Sequence, residues 1–114
     1  MQAFEYTDLL LRHSENQRLY LEFLRVPALS LGLYVLSAGG MDPQKPHSED
    51  EVYYVVEGRG MIHVAGEDRH VEPGSIVYVR AHDSHRFHSI EADLRILVFF
   101  APAEYATTGE TTGE

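Results

Sequence analysis

Residues 51–79 read EVYYVVEGRGMIHVAGEDRHVEPGSIVYV, and this stretch decides the fold class. It consists of short runs of β-branched and aromatic residues, which are separated by glycine, proline and acidic residues. Such runs, with turn residues at close and even spacing, are typical of β-strands joined by tight turns. We therefore predict strands over residues 51–57, 61–65, 69–71 and 75–79.

The same pattern continues on both sides of this stretch. Further strands are predicted over residues 18–26, 28–37, 85–89 and 94–100, with turns at 58–60, 66–68 and 91–93. Eight short strands with hardly any helix predict an all-β fold, either an antiparallel sandwich or a small barrel. Before the strands, residues 4–13 predict one or two turns of helix, capped by Thr7 or Asp8.

Length, charge and composition exclude several classes of protein. The chain has 114 residues, and its 9 basic against 18 acidic residues give a net charge of −9, so neither nucleic acid nor an acidic membrane surface is an expected partner. No apolar run approaches the roughly 18 residues of a membrane helix. Glu5 and Asp8 stand where a signal peptide would carry basic residues. We expect a cytoplasmic protein, and without cysteine any metal must be held by histidine, carboxylate or amide oxygen.

The chain divides into three predicted segments. Residues 1–17 form an N-terminal arm or short helix, residues 18–104 form the β-barrel domain, and residues 105–114 form a tail. Its residues 107–114 read TTGE twice and have no apolar anchor, so we expect the tail to be disordered.

Two of the seven histidines have neighbours that suit metal binding. His47 precedes Glu51 by four residues at the start of a predicted strand, so both side chains can point to one face of that strand. An imidazole beside a carboxylate is half of a metal site. The other half could come from the pair His82 and His85, which lie three residues apart on a loop and at the entry to a later strand.

Residues 39–58 and 74–89 resemble the two motifs of the cupin family. The first stretch fits G-x5-K-x-H-x3-E-x6-G, where the family pattern is G-x5-H-x-H-x3,4-E-x6-G. The second fits G-x5-R-x-H-x2-H-x3-S, where the family pattern is G-x5-P-x-G-x2-H-x3-N. Fifteen residues separate the two stretches, and the resemblance covers roughly residues 18–101.

This resemblance implies a double-stranded β-helix, or jelly-roll barrel, that is often dimeric. It also implies one divalent metal ion per chain, which could be zinc, iron, manganese, nickel or copper, with His47, Glu51 and His85 as ligands. The family's first histidine is replaced by Lys45, whose ammonium group cannot bind a cation.

Three interpretations of this replacement stay open. In the first, the amide oxygen of Gln44 or a water completes the site, with Glu49 as the other candidate of suitable strand parity. In the second, Lys45 turns inward, pairs with Glu51 and makes a pocket for an organic ligand. In the third, the barrel is only a scaffold.

The leading functional hypothesis is a small metal-binding cupin that acts on or binds a small organic molecule in the barrel mouth. Tyr53 shares the strand face of Glu51, and Phe87 shares that of His85, so both are expected to line the ligand cavity. The chemistry would be that of a dioxygenase, isomerase or lyase, and no catalytic residue is assigned. The alternative is a non-catalytic binding or sensor module. A homodimer is expected because residues 18–25 are apolar on both strand faces.

Overall fold

Six strands and one helix form the part of the chain that the computed structural model describes, residues 1–43 and 45–106. The elements are α1 (Tyr6–Asn16), β1 (Tyr20–Val26), β2 (Leu29–Leu36), β3 (Asp50–Val64), β4 (Glu67–Val71), β5 (Ile76–Val79) and β6 (His85–Ala101). The five strand pairs described are all antiparallel. The structure therefore confirms the predicted all-β class with a short N-terminal helix.

The barrel is built around one long pair of strands. The strand order is β1-β2-β6-β3-β4, and β5 also pairs with β3. β3 and β6 run side by side over nearly their whole length, from Asp50 opposite Ala101 to Val64 opposite His85. β5 pairs with the first half of β3 and β4 pairs with its second half. Each half of the long pair thus belongs to a different wall of the barrel.

The predicted count of eight strands is wrong because two pairs of predicted strands are continuous. Residues 58–60 lie inside β3 and residues 91–93 lie inside β6, and neither stretch is a turn. The pairing register shifts at these points. Gly58 and Ser89 have positive φ angles of 96° and 49°, so the strands bend there without ending. Residues 67 and 68, predicted to lie in a turn, already belong to β4.

The N-terminal helix packs against the outside of the barrel. Neither Thr7 nor Asp8 caps it, because the N-cap is Glu5, whose side chain makes no capping hydrogen bond. Leu9 is the buried residue of α1, and the Tyr6 hydroxyl donates a 2.5 Å hydrogen bond to Glu57 on β3. Within the described residues, no helix has the length and apolar character that crossing a membrane requires.

The barrel interior holds charged side chains as well as aromatic ones. Alternation along β3 and β6 turns Tyr53, Phe87 and Phe100 inward, and each is at most 1% exposed. The same alternation buries Glu51. Charged residues are seldom fully buried unless they are paired or bind a metal, so this carboxylate marks a site.

The C-terminal end differs from the predicted tail where that tail was expected to start. Tyr105 is 7% exposed, and its backbone N–H donates a 3.1 Å hydrogen bond to Glu49. The remainder of the predicted tail, residues 107–114, lies outside the described residues.

Candidate metal centre

Glu51 and His85 meet inside the barrel although they come from opposite ends of the β3–β6 pair. Glu51 lies near the start of β3, and His85 pairs with Val64 at the end of β3. Thirteen residues along a straight strand would span roughly 40 Å. Nevertheless, Oε1 of Glu51 lies 2.7 Å from Nε2 of His85. The bend in β3 therefore brings the two motifs of the sequence together.

His47 joins this pair from the loop before β3. Its carbonyl accepts a 2.7 Å hydrogen bond from the N–H of His82, which ties this loop to the one before β6. Its ring packs against Phe100 with 4.8 Å between ring centroids. Nδ1 of His47 lies 3.5 Å from Oε1 of Glu51. The four-residue spacing thus places both side chains on one inner surface.

The three side chains fit a metal ion. They are 3%, 2% and 5% exposed for His47, Glu51 and His85, and one ligand atom from each lies within 4.8 Å of the others. Among the described residues, Nδ1 of His47 and both oxygens of Glu51 make no hydrogen bond of good geometry. When the imidazoles are neutral, buried polar atoms of this kind carry a cost in free energy. A cation shared by the three residues would remove that cost.

His85 is oriented by the backbone. Its Nδ1 lies 2.9 Å from the carbonyl oxygen of Asp83. A carbonyl only accepts hydrogen bonds, so Nδ1 carries the proton and Nε2 is the nitrogen that faces Glu51. Metal-binding histidines usually have such a partner for the second ring nitrogen.

The buried histidines and glutamates shift each other's pKa values. Burial lowers the pKa of His47, but its hydrogen bond to Glu104 and its contact with Glu51 outweigh burial and raise the pKa to about 9. Burial raises the pKa of Glu51, yet the two histidines outweigh it and hold that pKa below its ordinary value. Burial also lowers the pKa of His85, and contact with Glu51 more than offsets this. His47 is thus held as a cation, and the surroundings of His85 also favour its protonated ring more than water does.

Glu104 is a site residue that sequence reasoning missed. Its side chain is fully buried, and Oε2 lies 3.0 Å from Nε2 of His47. Burial raises the pKa of this carboxyl group above its ordinary value. Glu104 follows β6 in an irregular segment, where neither strand alternation nor a motif assigns a direction to its side chain. The one unusual local feature is a glutamate between two residues of mainly apolar character, Ala103 and Tyr105.

Three loop residues, Lys45, Gln44 and Glu49, were candidates to complete the metal site or to replace the ion. Lys45 is exposed, and the ion-pair partners of Glu51 within the described residues are His47 and His85. Gln44 lies outside the described residues. Glu49 is buried, but its carboxylate accepts hydrogen bonds from Ser48 and from the backbone of Tyr105.

Both predicted lining residues lie in the interior next to the cluster. Tyr53 is 0% and Phe87 1% exposed, and their rings make an edge-to-face contact with centroids 4.9 Å apart. The Tyr53 ring lies 6.1 Å from the ring of His85. Together they form an aromatic wall beside His85.

The other histidines lie away from the cluster. His63 and His88 share one oxygen of Asp68 on the outer surface, at 3.2 Å and 2.7 Å. His82 has a φ of 69°, at the motif position where the family has glycine. His13 contacts the carbonyl of Leu19, and His70 is exposed.

An open cleft of about 300 Å³ lies on the β4–β5 side of the barrel. Two of its lining residues neighbour site residues in the strand register: Val64 is opposite His85, and Val77 is opposite Tyr53. The remaining lining residues are Ile62, Ala65, Glu67, Arg69, Tyr78, Arg80 and Asp83. The cleft therefore adjoins the aromatic wall.

Comparison with known proteins identifies relatives of the whole barrel. An uncharacterised protein of Streptomyces coelicolor is 50% identical over 104 residues, which are 91% of this chain and 99% of that protein. The structure of TT1209 from Thermus thermophilus matches with a TM-score of 0.74 and 24% identity over 90% of this chain and 99% of that one. Ectoine synthase from P. lautus matches with a TM-score of 0.72 and 20% identity over 90% of this chain and 79% of that one.

The family model described as "Cupin domain" matches residues 32–100. This match spans more than half of the chain and contains both motif stretches and all of β3 to β5. The chain belongs to the cupin family.

Proposed function

We propose that the chain binds one divalent metal ion through His47, Glu51 and His85, and that a small organic molecule binds beside it in the barrel mouth. The observation that carries this proposal is the buried group of three converging ligand atoms, in which Nδ1 of His47 and the Glu51 oxygens make no good hydrogen bond among the described residues. Two imidazoles and a carboxylate suit zinc, iron, manganese, nickel and copper. When bound, such an ion would supply Lewis-acid or O2 chemistry.

The surrounding residues support this role in different ways. The Asp83 carbonyl fixes the orientation of His85, and the rings of Tyr53 and Phe87 keep water from one side of the cluster. The adjoining cleft is large enough for a small organic molecule. We assign Tyr53 and Phe87 to ligand contact, and dioxygenase, isomerase and lyase reactions are the candidate chemistries.

A non-catalytic binding module is the second candidate, and one observation favours it. His47 contacts the carboxyl groups of Glu51 and Glu104, and His85 contacts Glu51. Each of these four side chains thus has a partner of opposite charge type without an ion, as a pocket for an organic ligand alone would need. Lys45 is exposed, so this second candidate now rests on the histidines rather than on the lysine.

We further propose that two chains form a homodimer through an apolar outer surface. This surface, the β5 face, consists of Val52, Tyr54, Ile76, Tyr78 and Phe99. Ile76 is 70% exposed and Tyr78 is 59% exposed. Large apolar patches rimmed by polar residues mark protein interfaces. A second copy of the chain can pack against this face because none of its five residues is charged, although the chain as a whole has a net charge of −9.

Elemental analysis of protein purified without a histidine tag or chelator tests the metal proposal. We expect near one equivalent of a transition metal per chain, lost in His85→Ala and kept in the control His70→Ala, which removes an exposed histidine. Circular dichroism checks that both variants fold. Wild-type protein that stays empty after incubation with iron, manganese, nickel, copper and zinc would contradict the metal proposal and favour the binding module.

A further inference from the structure

The two ring nitrogens of His47 face two different carboxylates. Nε2 lies 3.0 Å from Oε2 of Glu104, in hydrogen-bond geometry, whereas Nδ1 lies 3.5 Å from Oε1 of Glu51. The side chains of the three residues are at most 1% exposed. His47 therefore lies between a glutamate within the proposed metal site and one outside it.

We propose that His47 binds the metal through Nδ1, and that Glu104 is a positioning residue that holds the imidazole in this orientation. The inference rests on the proposed metal function. An ionised carboxylate only accepts hydrogen bonds, so Nε2 must carry the proton that Glu104 binds. In the neutral imidazole the lone pair then lies on Nδ1, the nitrogen on the side of Glu51.

Glu104 is itself held in place by its backbone. Its N–H donates a 2.9 Å hydrogen bond to Oγ of Ser30, and its carbonyl accepts a 2.8 Å hydrogen bond from the guanidinium of Arg25. The preceding residue, Ala103, is 1% exposed. A carboxylate anchored in this way is a rigid acceptor and does not have to be ordered when the metal binds.

The rings around His47 restrict its rotation. Phe100 lies on one side with 4.8 Å between ring centroids, and Tyr105 lies 5.7 Å away. Rotating the imidazole by 180° about its Cβ–Cγ bond would put the ring carbon Cε1 in the place of Nε2 and break the hydrogen bond to Glu104. The packing and the hydrogen bond thus favour the same orientation of the ring.

His47 and His85 would therefore use opposite nitrogens. His85 offers Nε2 because the Asp83 carbonyl holds its Nδ1, and His47 offers Nδ1 because Glu104 holds its Nε2. A carboxylate partner makes a ligand histidine more basic than a carbonyl partner does. Glu104 would thus strengthen metal binding without touching the ion.

Nitrogen NMR of zinc-loaded, 15N-labelled protein tests this assignment directly. Two-bond proton–nitrogen correlations distinguish a ring that binds through Nδ1 from one that binds through Nε2. We expect the His47 pattern to show a protonated Nε2 and a bound Nδ1. Binding of His47 through Nε2 would overturn this inference alone, whereas wild-type protein that binds no zinc would overturn the proposed metal function as well.

Zinc affinities of variants test the role of Glu104. Glu104→Met removes the acceptor and is expected to weaken zinc binding about 10–100-fold once the affinity is corrected for proton competition at His47, as other losses of a ligand's hydrogen-bond partner do. Glu104→Gln keeps an acceptor and should lose less, so it remains informative if Glu104→Met does not fold. Glu57→Gln, on the outer surface, controls for the loss of one negative charge. Equal affinities of Glu104→Met and Glu57→Gln would overturn the inference.

Discussion

At the scale of single residues, the surroundings of His47 determine how metal binding depends on pH. Burial lowers the pKa of His47, but Glu104 and Glu51 outweigh burial and raise it to about 9. The metal-free imidazole is therefore protonated at neutral pH, and an ion can bind only by displacing that proton. We expect zinc affinity to rise with pH by at least about tenfold per unit between about pH 6 and pH 8, because His47 alone carries one competing proton.

Competition titrations against a chelator of known pH dependence measure this slope. The sign follows from the direction of the pKa shift, since a raised pKa extends proton competition toward higher pH. Glu104→Gln removes one of the two carboxylates that raise the pKa of His47. The rise of its zinc affinity with pH should therefore level off at a lower pH than in the wild type. A wild-type affinity that stays constant from about pH 6 to pH 8 would contradict the protonated state of His47.

The sequence predicted most of the cluster but not all of it. Motif spacing assigns His47, Glu51 and His85 to one site, and strand parity assigns His47 and Glu51 to one face. Glu104 was not found because its position depends on a segment after β6 that turns back against Pro27 and Ser30. No local pattern encodes this long-range contact.

At the scale of strands, Gly58 allows β3 to bend. Its φ is 96°, and a Cβ atom there would lie 2.2 Å from the carbonyl oxygen of Asp93 on β6. Gly66 has a similar φ of 90° in the turn before β4, but a Cβ atom there would meet nothing within 4 Å. Alanine at either position must adopt a left-handed conformation, and only at Gly58 must it also displace a neighbouring strand.

We expect Gly66→Ala to cost about 1 kcal/mol of unfolding free energy, from the backbone conformation alone. Gly58→Ala should cost about 3 kcal/mol, because displacement of β6 adds to the same conformational cost. Urea denaturation of the metal-free chains measures both values. Equal losses in the two variants would show that the contact with Asp93 does not constrain the bend.

The turns that sequence analysis predicted within β3 and β6 show why strand ends are difficult to predict. Gly58-Arg59-Gly60 has the composition of a turn, since a tight turn and a strand bulge both use glycine at positive φ. The partner strand decides whether such a stretch forms a tight turn or a bulge within a continuous strand. The pairing of Arg59 with Ala92 continues the ladder through the bend, and this partner lies more than thirty residues along the chain.

At the scale of the whole molecule, the structure exposes a second apolar surface that the sequence analysis did not single out. The dimer was predicted from residues 18–25, which are apolar on both faces. In the structure Phe4 covers part of this strand, because its ring lies 4.9 Å from that of Phe23. The β5 face is more exposed than this strand. Its residues lie side by side on three neighbouring strands, with Val52 on β3 opposite both Tyr78 on β5 and Phe99 on β6. The N-terminal segment thus accounts for some of the surface that suggested a dimer.

Ile76→Lys is expected to convert the dimer into a monomer at micromolar concentration, because it would bury an ammonium group of each chain in an apolar interface. Leu11→Lys makes the same change on α1, where Leu11 is 61% exposed, and should leave the dimer intact. Light scattering coupled to gel filtration measures the mass of each variant. A dimer that persists in Ile76→Lys but dissociates in Leu19→Lys would place the interface on β1 instead, since Leu19 precedes that strand and is 40% exposed. A monomeric wild type would exclude both surfaces as dimer contacts at that concentration.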